Sequence, residues 1–331
     1  MLEGEPYHLP FSLFHVKQSM KPSRRARYIR YNFPITISFR SNPMTEKNVR
    51  RSNYILHAKS AQYHWDGTGL LSIKTFLNGK AYYKTNRGYF AVEEGNYLLL
   101  NQGPYTITID EQKEVESFCV FFQEDFANDV FRNLSVSDHQ LLDDPYTTHT
   151  SASFFEKTYE QSQVLTQQMS LLKHMTNQYP LDSNMLDEQF YSIMTTLFRE
   201  QMKTFKEIDR LDLARKSTRE EIYKRVSTAH EYIRAFYDKQ LTLDEIAAIS
   251  CLSPNHLLRN YSTLYKKTPF QHIAELRIAK SITLLETTEY SMTDITYEIG
   301  LNNPVSFSRL FKQHLGISPL QYRKKVILDK K

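Results

Sequence analysis

The sequence has only two cysteines in 331 residues, Cys119 and Cys251. Two isolated thiols give no disulfide framework and no Cys-based zinc site, and they suit a reducing compartment. Long apolar runs are also missing, since no stretch approaches the ~18 uninterrupted apolar residues of a membrane span. The opening Met1-Leu2-Glu3-Gly4-Glu5-Pro6 lacks the basic-then-apolar order of a secretion signal. These absences point to a soluble, cytoplasmic chain. A clustered His-x-His is lacking too: His57 and His64 stand seven apart, and the next histidine is His139. An unbroken period-2 strand would put His57 and His64 on opposite faces. No metal, cofactor or catalytic residue is implied, and the chain is not expected to be an enzyme.

What the sequence does have is a stretch that says the same thing twice. Pro254, Arg259, Tyr261, Pro269 and Gln271 are matched at an offset of 50 by Pro304, Arg309, Phe311, Pro319 and Gln321. Upstream the offset falls to 49, pairing Ile246 with Ile295, Cys251 with Gly300 and Leu252 with Leu301. Ordered matches of this kind mark a duplicated motif, although two copies are too few for a solenoid. Each copy is punctuated as two short helices and a tight turn. Thr242 caps Leu243–Ser250, with Glu245 placed to complete a capping box, and Ser291 caps the equivalent helix. Ser253-Pro254 and Asn303-Pro304 open the second helices, Thr268-Pro269 and Ser318-Pro319 two more. Apolar residues recur at helical spacing throughout. This is the form of a helix-turn-helix, whose second helix enters the DNA major groove. Between the copies, Pro269–Glu286 reads as one helix of roughly 27 Å, able to set two recognition helices about one DNA turn apart.

Charge follows the same division. From Ser217 onward 17 Lys/Arg face 12 Asp/Glu, which accounts for the whole formal charge of +5 and leaves 25 of each sign before it. A basic face supplies the sequence-independent part of DNA affinity. Ahead of it, Lys21, Arg24, Arg25, Arg27 and Arg30 read either as a nucleic-acid arm or as a solvated linker, the simpler reading.

The length of the chain suggests two or three domains. Ile35–Arg40 alternates like a strand, and from Asn53 to Gln123 the pattern is all-β. The expected strands are Tyr54–His57, Leu71–Leu77, Lys80–Lys84, Tyr97–Leu100, Tyr105–Asp110 and Phe118–Phe122. Asn78-Gly79 is a hairpin signal, and Gly88, Gly95 and Gly103-Pro104 mark further turns. Such spacing fits a small barrel or jelly roll able to enclose a ligand. His64-Trp65-Asp66-Gly67 reads as a strand end and turn, with Trp65 in the core or in a pocket wall. A helix is expected from near Ser151 to Pro180 through Phe155, Tyr159, Leu165, Met169, Leu172 and Met175. A second is expected at about Met185–Lys206. Both would either cover an open barrel edge or form a subunit interface. A further helix is expected over Arg219–Tyr237. The boundaries divide the chain into a barrel at 1–150, a helical dimerisation or linker segment at 151–216, and a helix-turn-helix domain at 217–331.

The C-terminal residues resemble the AraC family of bacterial transcriptional regulators. The second copy carries the resemblance: Ser291-x-x-Asp294-Ile295, Gly300-Leu301-x-x-Pro304-x-x-Phe307-x-Arg309-x-Phe311-Lys312 and Gly316-Ile317-Ser318-Pro319-x-x-Tyr322-Arg323. The upstream part is similar by architecture alone to the family's cupin-like sensing and dimerisation region. The expected fold is therefore α+β and multidomain: a cupin-like β-barrel with flanking helices, then an all-α domain of two helix-turn-helix motifs joined by a long helix. Thr296 replaces the family's small Ala and Leu301 its usual Phe. Cys251 and Lys266 stand where copy one usually has Gly, so that copy is expected to turn less tightly. The resemblance implies base contacts from Asn255, Arg259, Ser306 and Arg309, with salt bridges the competing use of the two arginines. It implies phosphate contacts from His256, Ser262, Thr263 and Lys312, and an apolar contact from Val305. It also implies promoter DNA, RNA polymerase, a second copy of the chain and a small-molecule effector as partners. Most members of the family activate transcription. Control by a protein partner or by abundance, with the barrel only a folding and dimerisation module, is the alternative, and a cupin-type enzyme with a DNA-binding appendage is a remote one.

Overall fold

The computed structural model describes residues 52–135, 152–176, 183–211 and 215–329. The basic cluster Lys21–Arg30, the strand expected at Ile35–Arg40, and His139 and Pro180 lie outside them. Seven antiparallel strands form a nearly closed barrel: β1 Tyr54–Gly69, β2 Ser72–Leu77, β3 Lys80–Thr85, β4 Gly88–Glu93, β5 Asn96–Leu100, β6 Gly103–Phe121 and β7 Thr158–Glu160. The sheet runs β4-β3-β6-β2-β5-β7, with β1 along the other edge of β6. Strand β6 is long enough to pair twice, with β3 through Tyr105–Thr108 and with β2 through Glu116–Phe121. The β2–β3 hairpin between those pairings turns at Asn78, φ 64°, and Gly79, as the dipeptide predicts.

The strands are longer than their apolar cores suggest. Tyr105–Asp110 and Phe118–Phe121 belong to one strand, which ends before Phe122, and β1 continues through His64–Gly67, so no turn forms there. Those residues look turn-like because alternate positions face solvent, while Tyr63 and Trp65 pack inward. Strand β4 follows Gly88, which marks its start and not a bare turn. An irregularity between Ser60 and Gln62 changes which residues of β1 face in. His57 and His64 consequently share the outer face, contrary to the alternation expected of an unbroken strand. They remain apart: His57 Nε2 lies 2.6 Å from Glu116, which also pairs with Lys173, and His64 lies 3.1 Å from the Thr108 hydroxyl.

Helices α1 Phe126–Ser135, α2 Gln163–Met175 and α3 Ser183–Asp209 lie against the outside of the barrel. Ile73, Tyr97, Leu99, Phe118 and Val120 point outward into a core shared with Leu165, Leu172, Phe190, Ile193 and Leu197. Strands β2 and β5 are thus buried on both faces, which explains their continuous apolar character. Helix α1 has no counterpart in the expectations above. The helix expected from Ser151 begins only at Gln163, where the Ser162 hydroxyl caps it. Tyr159, at helical spacing in the sequence, instead sits in β7 and stacks on Tyr97 at 5.2 Å.

The remainder is helical: α4 Lys216–Phe236, α5 Leu243–Ile249, α6 Pro254–Tyr265, α7 Pro269–Thr287, α8 Met292–Glu298, α9 Pro304–Leu315 and α10 Pro319–Asp329. Each motif has its own core. Ile246, Leu257 and Tyr261 pack with Val226, Ala229 and Ile233 of α4 in the first, and Ile295, Phe307 and Phe311 pack with Leu284 and Leu285 of α7 in the second. Helix α4 also packs on β4. Tyr89 meets Tyr232 and Phe236 edge-on at 6.0 and 5.5 Å, and Thr158 donates from backbone and hydroxyl to the buried carboxylate of Glu231.

Candidate nucleic-acid interface

Local chemistry fixes where the two second helices begin. The Ser253 hydroxyl accepts from the His256 amide at 3.4 Å, and Asn303 Oδ1 accepts from the Ser306 amide at 2.8 Å, in each case ahead of a proline that needs no partner. The matched glutamines have the same explanation. Gln271 closes a capping box on Thr268, and Gln321 closes one on Ser318. On the first helices the outcome differs. Asp294 completes a box with Ser291, whereas the Glu245 carboxylate accepts from the Tyr232 hydroxyl at 2.6 Å, so the box expected at Thr242 is only half made.

Both turns keep left-handed geometry. Gly300 and Gly316 take φ 76° and 77°, and Cys251 and Lys266 take 52° and 58° at the corresponding places. Backbone bonds from Leu252 to Ala247 and from Leu301 to Thr296, both 2.9 Å, close the two turns alike. Copy one is therefore as tightly turned as copy two, contrary to what its missing glycines suggest. A side chain is tolerated at Cys251 because it is exposed. At Gly300 an added Cβ would lie 2.1 Å from the Asp238 carbonyl oxygen, in the connection between α4 and α5. Thr296 fits its buried site by donating its hydroxyl to the Met292 carbonyl at 2.6 Å.

With Leu257 and Tyr261 buried on α6, and Phe307 and Phe311 on α9, the opposite faces are set by helical spacing. Asn255, His256 and Arg259 are exposed on α6, and Val305, Ser306, Arg309 and Lys312 on α9. Val305 stands 69% exposed. Ser262 and Thr263 are half-buried, and the Thr263 hydroxyl donates to the Arg259 carbonyl at 2.9 Å. Among the described residues neither Arg259 nor Arg309 enters an ion pair with a carboxylate. The salt-bridge use of these arginines is not realised.

Several residues that hold the two faces in place escaped the sequence pattern. Gln240 donates to the Gly300 carbonyl at 2.8 Å, and Arg277 on α7 donates to the carbonyls of Tyr237 and Lys239, both at 2.8 Å. Inside the first motif the Tyr261 hydroxyl lies 2.6 Å from His272 and 3.1 Å from His230. Burial pulls the His272 imidazole down to about 4, with the Lys267 and Arg234 charges adding to it. Gln240 and Arg277 would not stand out in a repeat search, because each bonds to backbone carbonyls.

A family model described as a helix-turn-helix domain matches residues 246–325. Those residues are an AraC-type DNA-binding domain. YdeC of Bacillus subtilis, an HTH-type transcriptional regulator, is 24% identical over 276 residues, covering 79% of this chain and 85% of its own length. The MmsAB operon regulatory protein of Pseudomonas aeruginosa is 33% identical over 97 residues, 29% of this chain. The melibiose operon regulatory protein of Escherichia coli is 31% identical over 99 residues, 30% of this chain. The match spans only about a third of these last two relatives, 32% and 33%. Among solved structures, the DNA-binding domain of AdpA in complex with a target DNA is 25% identical, covering 30% of this chain and 91% of that one at a TM-score of 0.30. ToxT from Vibrio cholerae is 13% identical, with 82% and 98% covered and a TM-score of 0.32. The chain is thus a relative of AraC-family transcriptional regulators. The AraC-type domain is joined to a barrel consistent with a cupin-like fold, and among the described residues no helix is long and apolar enough to cross a membrane.

Proposed function

We propose that the protein is a sequence-specific promoter-binding regulator that reads adjacent major grooves through α6 and α9. One observation carries the reading. Two matched helices expose polar and basic side chains at equivalent positions, and among the described residues the arginines form no ion pair. Arg259 and Arg309 suit bidentate bonding to guanine, Asn255 suits adenine, and Ser306 suits either, at roughly 1–3 kcal/mol of discrimination for each good bidentate pair. His256, Ser262, Thr263 and Lys312 position the helices on phosphates, and Val305 covers a thymine methyl. We assign residues 1–150 to sensing a small-molecule effector, 151–216 to dimerisation and linkage, and 217–331 to DNA. Exposed apolar residues on α2 and α3, among them Val164, Leu171, Met185 and Met202, support the homodimer. Activation through RNA polymerase is the family's implication for the bound state. Selection of bound sequences from a random duplex pool, repeated at several salt concentrations, tests the central claim. A single enriched motif with two half-elements about one helical turn apart is expected, and a pool that stays random would overturn it.

A further inference from the structure

The two helix-turn-helix motifs have separate cores, and the changeover between them falls in the middle of α7. Ile273 and Leu276 pack with the core of the first motif, and Ile278, Ile282, Leu284 and Leu285 with that of the second. Arg277 stands between the two sets, half-buried. Its guanidinium reaches back to the end of α4, donating from Nε to the Tyr237 carbonyl and from Nη2 to the Lys239 carbonyl, each at 2.8 Å. Carbonyls at a helix end lack partners along the chain, and a cation suits the negative end of the helix dipole. At the matched position of the second copy stands Ile327, 49% exposed. The brace therefore belongs to the junction and not to the repeat.

The second motif grips the same connection. Gln240 donates to the Gly300 carbonyl at 2.8 Å, and Gly300 leaves no room for a Cβ against the Asp238 backbone. Residues 237–240 thus meet both the middle of α7 and the turn between α8 and α9. These contacts tie the first motif to the second directly, beside the covalent path along α7. Rocking one motif against the other would have to stretch one of the three hydrogen bonds or open the Gly300 contact.

We propose that Arg277 is a positioning residue that determines specificity: with Gln240, it fixes the number of base pairs between the two half-elements of the operator. This rests on the reading of α6 and α9 as the recognition helices. The guanidinium stays on the α4 carbonyls and acts through the pose of those helices. One added base pair shifts a half-element by about 3.4 Å and turns it by roughly 35°. A braced pair of motifs meets such a site with only one helix seated in its groove. An unbraced pair behaves as two linked modules, which follow the displacement and keep both contacts.

The test uses the full chain, an operator selected from a random pool, and versions of that duplex with one or two base pairs added between the half-elements. Wild type is expected to lose roughly tenfold or more in affinity on each insertion, the worth of one helix's base contacts. Arg277→Met keeps the length of the side chain but not its donors, and is expected to lose about threefold or less on the same insertions. Arg277→Lys, which still offers a donor to one carbonyl, is expected to lie between them. A merely structural role would weaken every duplex alike and leave the ratios between spacings at their wild-type values, and that result overturns the proposal. Should Arg277→Met not fold, Gln240→Ala, at an exposed position, removes the bond to Gly300 and is expected to lower the cost of insertion. An unchanged cost in that variant overturns the proposal as well. A wild type that binds all spacings alike overturns the proposal alone, whereas a pool with no enriched motif overturns the reading beneath it and the proposal together.

Discussion

Replacing Gly300 with alanine tests whether the two motifs are held as one unit. The new Cβ would lie 2.1 Å from the oxygen, 2.4 Å from the carbon and 2.8 Å from the Cα of Asp238. These are backbone atoms of another connection, so no side chain can swing aside. The position also requires φ 76°, which costs a residue with a Cβ roughly 1–2 kcal/mol. Moving the α4–α5 connection away relieves the clash but breaks the hydrogen bond from Gln240 to the Gly300 carbonyl, worth about 1 kcal/mol net. With the remaining overpacking at roughly 1–3 kcal/mol, the loss comes to about 3–6 kcal/mol. The control is Cys251→Gly at the equivalent turn. There the relief of left-handed strain is offset by a more flexible unfolded chain, and the change stays within about 1 kcal/mol. Urea unfolding of the full chain measures both, with binding to a selected duplex as a second readout. A Gly300→Ala protein that unfolds at the wild-type midpoint would refute the close approach of Gly300 to the α4–α5 connection.

Other perturbations separate the remaining roles. Arg309→Ala is expected to weaken a selected operator by roughly 10–100-fold while leaving nonspecific duplex nearly unaffected, whereas Lys312→Ala weakens both and lowers the salt slope by about one; competition binding at several salt concentrations reads the difference. His272 has a folded value near 4 against 6.5 in its ordinary state, so the unfolded chain binds the extra proton between those values. Stability from this residue is therefore present above pH 6.5 and lost as pH falls towards 4, by roughly 3 kcal/mol, and His272→Phe should flatten that part of the denaturation curve. Glu231→Ala strips the acceptor from the Thr158 amide and hydroxyl and is expected to cost about 1–3 kcal/mol in thermal or urea unfolding.

How much of this could be read beforehand depends on the range of the interactions. Caps and turns are local, so Ser253-Pro254, Asn303-Pro304 and the matched glutamines located the helices of the C-terminal part within a residue or two. Hairpin chemistry at Asn78-Gly79 is local as well. The misreadings arose where a distant partner decides the outcome. Tyr159 has helical spacing in the chain but stacks on Tyr97, more than sixty residues away. Glu245 has the right offset for a capping box, yet Tyr232 takes its carboxylate. Cys251 and Lys266 looked unsuited to left-handed turns, which they nevertheless adopt because the backbone bonds closing the turn need no glycine. The equivalence of Arg259 with Arg309 was visible, but that neither pairs with a carboxylate among the described residues was not. The burial of Lys74 in the barrel, 2% exposed, gave no signal at all: a lysine inside an alternating strand normally faces water.

Helix α4 is a party wall between two rooms. One face carries the core of the first motif and the other rests on the barrel, and Tyr232 touches both, its ring against Tyr89 and its hydroxyl on Glu245 in the first turn of α5. Close-packed contacts of this kind have little give. A shift of β4 by even a fraction of an ångström would therefore be carried into α5 as displacement, with no soft layer between them to absorb it.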